Sequence, residues 1–427
     1  MAGARVTPLG TASAAPDGVL GRAGHRLRID EPGRAERLAR APTWLYLAPV
    51  LVLAAGLRIW QVNDTGFNSD EAVYAGQAAA IADDPELSEF FPVFRAHPLL
   101  LQTILSLGYQ FDVGDGFARL TVAGIGVATV LLVYELGRLI YGRPAGLIAA
   151  LLMALMPYHV VVTRQILLDG PMTFFATLTL VLLVRFVLSG RAIWLYATGA
   201  AMGLTFLAKE TSVVLLGAIY AFLALTPEIA VKLRDLAISV GVMALVIAPF
   251  PLTLMLAGHR GTGESYLTWQ LFRRPNHDWL FYPTTVPEVV GPLVLLAALI
   301  GLWLLRREAS WRETLLLSWI TVPVVFFELW PVKGFQYLLP IAPAIAVLAG
   351  RALSRLPAPG RPGWQALAVL IVAMSLTVPA WDRVEGSEQD TLLAGSGGLP
   401  GGRETGEWIR EHVPVGAVFM TIGPSMA

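Results

Sequence analysis

The chain has 427 residues, 55% of them hydrophobic and only 15% charged, where soluble domains carry about 25% charge. A globule of this length cannot hide so much apolar surface, so a bilayer is part of its solvent and a purely soluble protein is excluded. The 31 basic residues balance 31 acidic ones, which leaves no nucleic-acid signal, and the absence of cysteine excludes disulfides, thiolate metal sites and cysteine nucleophiles.

Residues 1–43 hold seven arginines among Ala, Gly, Pro and Ser without apolar periodicity, and read as a disordered cytoplasmic tail. A cleaved signal peptide does not fit, because the apolar stretch starts late and no small-residue cleavage site follows it. Eleven stretches then approach the length needed to span a membrane: 44–60, 120–137, 145–162, 170–188, 192–208, 211–226, 236–257, 289–305, 314–330, 335–350 and 364–380. Such a span takes about 20 apolar residues, and it must be helical because unpaired backbone groups are costly in lipid. A twelfth stretch, 97–111, is short and opens on His97-Pro98; it is expected to lie at the interface or dip in without crossing. The expected architecture is an all-α polytopic membrane domain over 44–380 with about eleven transmembrane helices. Two longer outer segments, 61–119 and 258–288, interrupt it. Residues 381–427 read as an extracytoplasmic linker leading into the start of an αβ domain, with an amphipathic helix at 404–412 and a strand at 417–422.

Lys and Arg in short loops set the expected orientation. If 97–111 does not cross, one side holds Arg138, Arg143, Arg185, Arg191, Lys232, Arg234, Arg306, Arg307, Arg312, Arg351, Arg355 and Arg361. The other holds Arg164, Lys209, Arg260, Arg273, Arg274 and Lys333, and twelve against six puts the N-terminus inside and the C-terminus outside. Asp64, Asp70, Glu71, Asp83, Asp84, Glu86 and Glu89 gather in the first outer segment.

Ionisable groups at membrane depth are costly and read first as functional. On the outer side they are Asp70 and Glu71, then Arg95 and His97, then Arg164 and Asp169, then Lys209 and Glu210, and finally Lys333. Two carboxylates near several cations suit a transferase that holds a phosphate diester and deprotonates a hydroxyl. Each residue also has a structural reading. Asp70 and Glu71 would cap a helix beginning near Ala72, Arg164 and Asp169 would form an ion pair, and Lys209 would snorkel from a helix end. His97, Arg273, Arg274 and His277 would be loop residues in water.

The order of these motifs resembles that of the C-type, multi-span glycosyltransferases that use lipid-phosphate sugars. It is most similar to the dolichyl-phosphate-mannose–protein mannosyltransferase and aminoarabinose transferase superfamily, glycosyltransferase family 39. The resemblance rests on Asp70-Glu71-Ala-Val-Tyr74, Ala96-His97-Pro98-Leu99, Arg119-Leu120 and the Arg164–Asp169 loop. It continues through Gly203-Leu-Thr-Phe-Leu-Ala-Lys209 and Lys333-Gly-Phe-Gln-Tyr337-Leu-Leu-Pro340. It implies a GT-C-like bundle that transfers a sugar, with inversion, from a polyprenyl-phosphate donor to a lipid, polysaccharide or protein acceptor outside the membrane. Asp70 would then be the general base, with Glu71 as its competitor and Asp169 as the second acid. Lys333, Arg164, Lys209 and Arg95 or His97 would hold the donor phosphate, and Tyr74 and Tyr337 would complete the site. The bacterial aminoarabinose enzymes have lysine where this chain has His97, which argues against that sugar. The implied partners are the lipid-linked donor and membrane lipid. No cofactor and no metal site is read from the residues, although the family leaves a divalent metal open. The alternative class, suggested by many spans with buried charge, is a secondary transporter or flippase; the placement of the charges at span ends argues against it.

Overall fold

The computed structural model describes residues 42–64, 66–84, 97–111, 114, 116–256, 272–355, 362–385, 401–414 and 416–417. Its contacts divide the chain into Met1–Thr43 and Trp44–Ala427, and the second unit is the one described below. All of its regular structure among the described residues is helical. In chain order the helices are α1 (Trp44–Ile59), α2 (Ser69–Ile81), α3 (Leu100–Tyr109), α4 (Gly116–Tyr141), α5 (Arg143–Leu155), α6 (Pro157–Val162), α7 (Asp169–Ser189) and α8 (Ala192–Ala208). They continue as α9 (Val214–Leu225), α10 (Leu233–Ile247), α11 (Pro249–Leu256), α12 (Phe281–Val290), α13 (Pro292–Leu304), α14 (Trp311–Leu329), α15 (Ala342–Ser354), α16 (Pro362–Glu385) and α17 (Gly402–His412).

Among the described residues, five helices are long and apolar enough to cross a membrane: 116–141, 169–189, 233–256, 335–354 and 363–385. A sixth crossing is available if α12 and α13, bent by 95° at Gly291, are taken together. The remaining apolar helices are shorter, so length and composition do not reach the expected eleven. Several expected spans are interrupted. The stretch 145–162 breaks at Met156, whose extended backbone precedes Pro157. The stretch 211–226 opens with a 3-10 turn at Glu210–Val213, and 335–350 opens with one at Phe335–Ile341. The expected span at 289–305 is bent near its start, because Gly291 takes φ +99, a region that suits glycine, and turns the chain between α12 and α13. The outer segment 258–288 accordingly ends in helix α12. The short helix α3 has ten residues and at 1.5 Å per residue reaches about half of the hydrocarbon thickness. The strand expected at 417–422 lies, apart from Ala417, outside the described residues.

Helix contacts explain how a low-charge chain packs without help from water. In lipid, close backbone approach over small residues replaces the hydrophobic drive. A Cβ on Gly137 of α4 would lie 2.8 Å from the Gly146 Cα of α5, and one on Gly350 of α15 would lie 2.5 Å from the Ala145 carbonyl oxygen. Gly199 lets α8 close onto the Ser239 backbone of α10, and the Ser239 hydroxyl donates to the Leu195 carbonyl at 2.7 Å. Gly199→Leu is expected to force these helices apart and cost roughly 1–3 kcal/mol or more, as overpacking does. A thermal midpoint in detergent equal to that of the parent protein would contradict this contact.

The break at Met156 leaves the Ala154 carbonyl without a helical donor, and Arg58 of α1 supplies one. This fully buried guanidinium donates to the carbonyls of Ala54 and Ala154 at 2.9 and 3.2 Å and to the Thr163 hydroxyl at 2.9 Å, and lies 2.6 Å from His159 Nδ1. A buried arginine here binds the broken helix to α1, and so fixes where the segment after α6 begins.

Candidate active site

The segment Thr163–Leu168 joins α6 to α7 and is buried throughout, none of its residues being more than 8% exposed. A buried loop must find partners for its backbone and polar side chains; the end of α1 meets Arg164, and α2 with its cap meets Gln165 and Ile166. Asn68 caps α2: its Oδ1 accepts the amides of Asp70 and Glu71, both at 2.9 Å, and the Glu71 carboxylate returns to the Asn68 amide at 3.1 Å. The Asn68 amide group also donates to Gln165 Oε1 at 2.8 Å. Glu71 then accepts the Ile166 amide at 3.1 Å and a forked pair from Arg119, Nε to Oε1 and Nη2 to Oε2, each at 2.8 Å. With four donors on two oxygens and no exposure, Glu71 has its acceptor capacity filled by structural bonds.

Arg119, at the start of α4, is the partner that the sequence motif left without a role. It also donates to the carbonyls of Val62 and Gly66 at 2.9 and 3.0 Å and lies 4.9 Å from the Phe67 ring centroid. Arg164 does similar work at the end of α1, donating to the carbonyls of Leu57 and Trp60 at 2.9 and 2.8 Å. Burial and then the charge of Arg119 lower its pKa to about 10, which leaves it cationic at neutral pH. Its donors satisfy a helix end, and the structure does not pair it with Asp169.

Asp169 instead opens α7 and receives the ammonium of Lys209, 2.8 Å from each carboxylate oxygen. Lys209 stands in the gap between α8 and the 3-10 turn that follows, and its Nζ is 4.7 Å from the Tyr337 ring centroid. One residue on, Glu210 Oε2 lies 2.9 Å from His97 Nδ1, and the His97 ring meets Tyr74 edge-on at 6.5 Å. Tyr74 gathers the cluster. Burial, then the charges of Asp70, Asp169 and Glu210, hold its phenol well above the usual range, so it stays protonated as a hydrogen-bond donor. Asp70 is exposed, and among the described residues its carboxylate takes neither a hydrogen bond nor an ion pair.

The structure therefore brings Asp70, Tyr74, His97, Asp169, Lys209 and Tyr337 together and adds Glu210. Arg273, from the second outer segment, acts electrostatically on Tyr337 and joins them; it is half-buried, whereas Arg274 and His277 are exposed loop residues. Lys333 lies beside the cluster with its own partner, Glu328 Oε1 at 3.1 Å, and Arg95 falls outside the described residues. Among the described residues, no group of three or more His, Asp or Glu side chains is arranged to hold a metal ion.

The comparisons match this picture in fold. The family described as dolichyl-phosphate-mannose-protein mannosyltransferase matches residues 96–254. YycA of Bacillus subtilis (strain 168), which carries a provisional mannosyltransferase name, is 34% identical over 108 residues; the match covers 25% of this chain and only 16% of that relative's length. ArnT from Cupriavidus metallidurans bound to undecaprenyl phosphate superposes with a TM-score of 0.72 at 18% identity, over 90% of this chain and 83% of that one. The archaeal oligosaccharyltransferase AglB from Archaeoglobus fulgidus, in complex with an inhibitory peptide and a dolichol-phosphate, gives a TM-score of 0.58 at 15% identity, over 88% and 58% of the two chains. The chain is thus an all-α, multi-pass membrane protein with a GT-C-like fold.

Proposed function

We propose that this protein is an inverting membrane glycosyltransferase of the family 39 type. It moves a sugar from a polyprenyl-phosphate donor to a lipid, polysaccharide or protein acceptor on the outer face, with the N-terminus in the cytoplasm and the C-terminus outside. The observation that carries this reading is the Asp70 carboxylate, exposed and, among the described residues, without a hydrogen-bond or ion-pair partner, beside two acids that are already bonded to Lys209 and His97. A base must have a free acceptor atom within reach of the proton it takes. Asp70 has one, whereas Glu71 and Asp169 are engaged.

In this scheme the acceptor hydroxyl attacks the anomeric carbon from the face opposite the phosphate and its proton passes to Asp70. The bond between the anomeric carbon and the phosphate oxygen breaks, and the electron pair leaves with the lipid phosphate. Asp169 acts as the second acid by holding Lys209, and Tyr74 donates a hydrogen bond. The growing negative charge on the phosphate falls to Arg273, with His97 and Lys209 beside it, and preorganised cations there stabilise the transition state. Arg95 and Lys333 remain candidates on sequence grounds, and Arg164 is assigned to the end of α1. The donor class is supported by the undecaprenyl phosphate bound in the ArnT of similar fold.

Mass spectrometry of lipid that copurifies with the protein tests the reading. A polyprenyl-phosphate glycoside, together with label transfer from such a donor in membranes, is the expected result. Copurification of no such lipid combined with acid-dependent solute uptake into vesicles would establish the transporter class instead.

A further inference from the structure

Two side chains of the second outer segment grip the backbone of two consecutive residues before the 3-10 turn at Phe335–Ile341. Asn276 Nδ2 donates to the Lys333 carbonyl at 2.8 Å, and its Oδ1 accepts the Lys333 amide at 2.8 Å. One residue on, the Tyr282 hydroxyl lies 3.1 Å from the Gly334 carbonyl oxygen and 3.2 Å from the Gly334 amide nitrogen, donating to the first and accepting from the second. Gly334 is extended, with φ −127 and ψ 136, and presents these groups as the edge of a sheet would. Side-chain groups take the place of the pairing strand. Unmet backbone groups at this depth would each carry a desolvation cost.

The Lys333 side chain tightens the same junction. Its Nζ lies 4.7 Å from the Trp279 ring centroid and 6.0 Å from that of Tyr282, while Glu328 takes its charge. On the far side of Gly334, the 3-10 turn carries Tyr337 against α7 and beneath the Lys209 ammonium. Arg273 stands three residues before Asn276 and within electrostatic reach of Tyr337. The four hydrogen bonds therefore tie the segment that carries Arg273 to the turn that carries Tyr337, although more than fifty residues separate them in the chain.

We propose that Asn276 and Tyr282 are positioning residues that hold Arg273 and Tyr337 together as one wall facing the phosphate of the lipid donor. This rests on the glycosyltransferase reading given above. Its test uses the full chain in nanodiscs, with undecaprenyl phosphate itself as the probe, titrated by native mass spectrometry. Asn276→Ala and Tyr282→Phe are each expected to weaken binding by about 3- to 10-fold, the range of a lost hydrogen bond or two. Asn276→Asp keeps the acceptor for the Lys333 amide but sets a carboxylate oxygen against the Lys333 carbonyl, and should lose at least as much. In the transfer assay the donor KM should rise and kcat should fall with it, because Arg273 meets the charge that develops on the leaving phosphate. A wild-type protein that binds and variants that bind equally well would overturn the clamp alone. A wild-type protein that binds no polyprenyl phosphate would overturn the donor reading and the clamp with it. If Asn276→Ala fails to fold, Tyr282→Phe and Asn276→Asp, which keep side-chain volume, decide the matter, and unchanged binding by both sinks the inference.

Discussion

Asp70→Asn is expected to lower sugar transfer by about 100- to 1000-fold, within the range for loss of a positioned base, while the protein folds and binds donor lipid as before. The reasoning is geometric. Asp70 and Glu71 are neighbours in α2, and a helix turns successive side chains by roughly 100°. The capping box fixes the direction of one of them: Glu71 faces Arg119 and the Ile166 amide. Asp70 is thereby directed to the other side, where Tyr74, Asp169 and Tyr337 feel its charge. The isosteric asparagine keeps the contacts of the helix surface and removes the proton acceptor. Measured kcat should fall with little change in thermal midpoint, and transfer at the parental rate by Asp70→Asn would remove Asp70 from the chemistry. Because the chain contains no cysteine, single cysteines at positions 70 and 169 can also be labelled cleanly. Both should react from the same side of the membrane.

The sequence made the class of fold legible because apolar run length and the placement of arginines are local, countable properties. The breaks were partly legible too. Pro157 follows Met156 and Pro292 follows Gly291, yet hydropathy alone reads through them, since neither residue is polar. The capping box Asn68-x-x-Glu71 is also a local pattern, yet the sequence does not say which of Asp70 and Glu71 faces the site, and only the bonds of the folded chain separate them. What could not be read was pairing. Asp169 and Lys209 are 40 positions apart, and His97 and Glu210 are 113 apart; nothing in either local stretch says that Arg164, closer in sequence to Asp169, turns to α1. Asn276 gave no signal, because its partners are backbone groups and any residue supplies those.

The Glu71–Arg119 fork carries the largest expected effect on the fold. Removing one member of a buried, hydrogen-bonded ion pair leaves the other charge without compensation, and typically costs 3–5 kcal/mol. Arg119→Met would strand a carboxylate that is fully enclosed, and Glu71→Gln would leave the guanidinium facing an amide that offers one acceptor atom in place of two. Both single variants should unfold at lower temperature than Asp70→Asn, and they should lose donor binding and transfer together. The double variant Glu71→Gln with Arg119→Met removes both charges. It should recover part of the loss, since replacing both partners avoids the uncompensated charge. This recovery separates the structural role from a catalytic one. A general base at position 71 would give a variant that folds like the parent and transfers no sugar, and Arg119→Met could not improve it. A Glu71→Gln protein with parental thermal stability and abolished transfer would therefore move the base from Asp70 to Glu71 and undo the division of labour along α2.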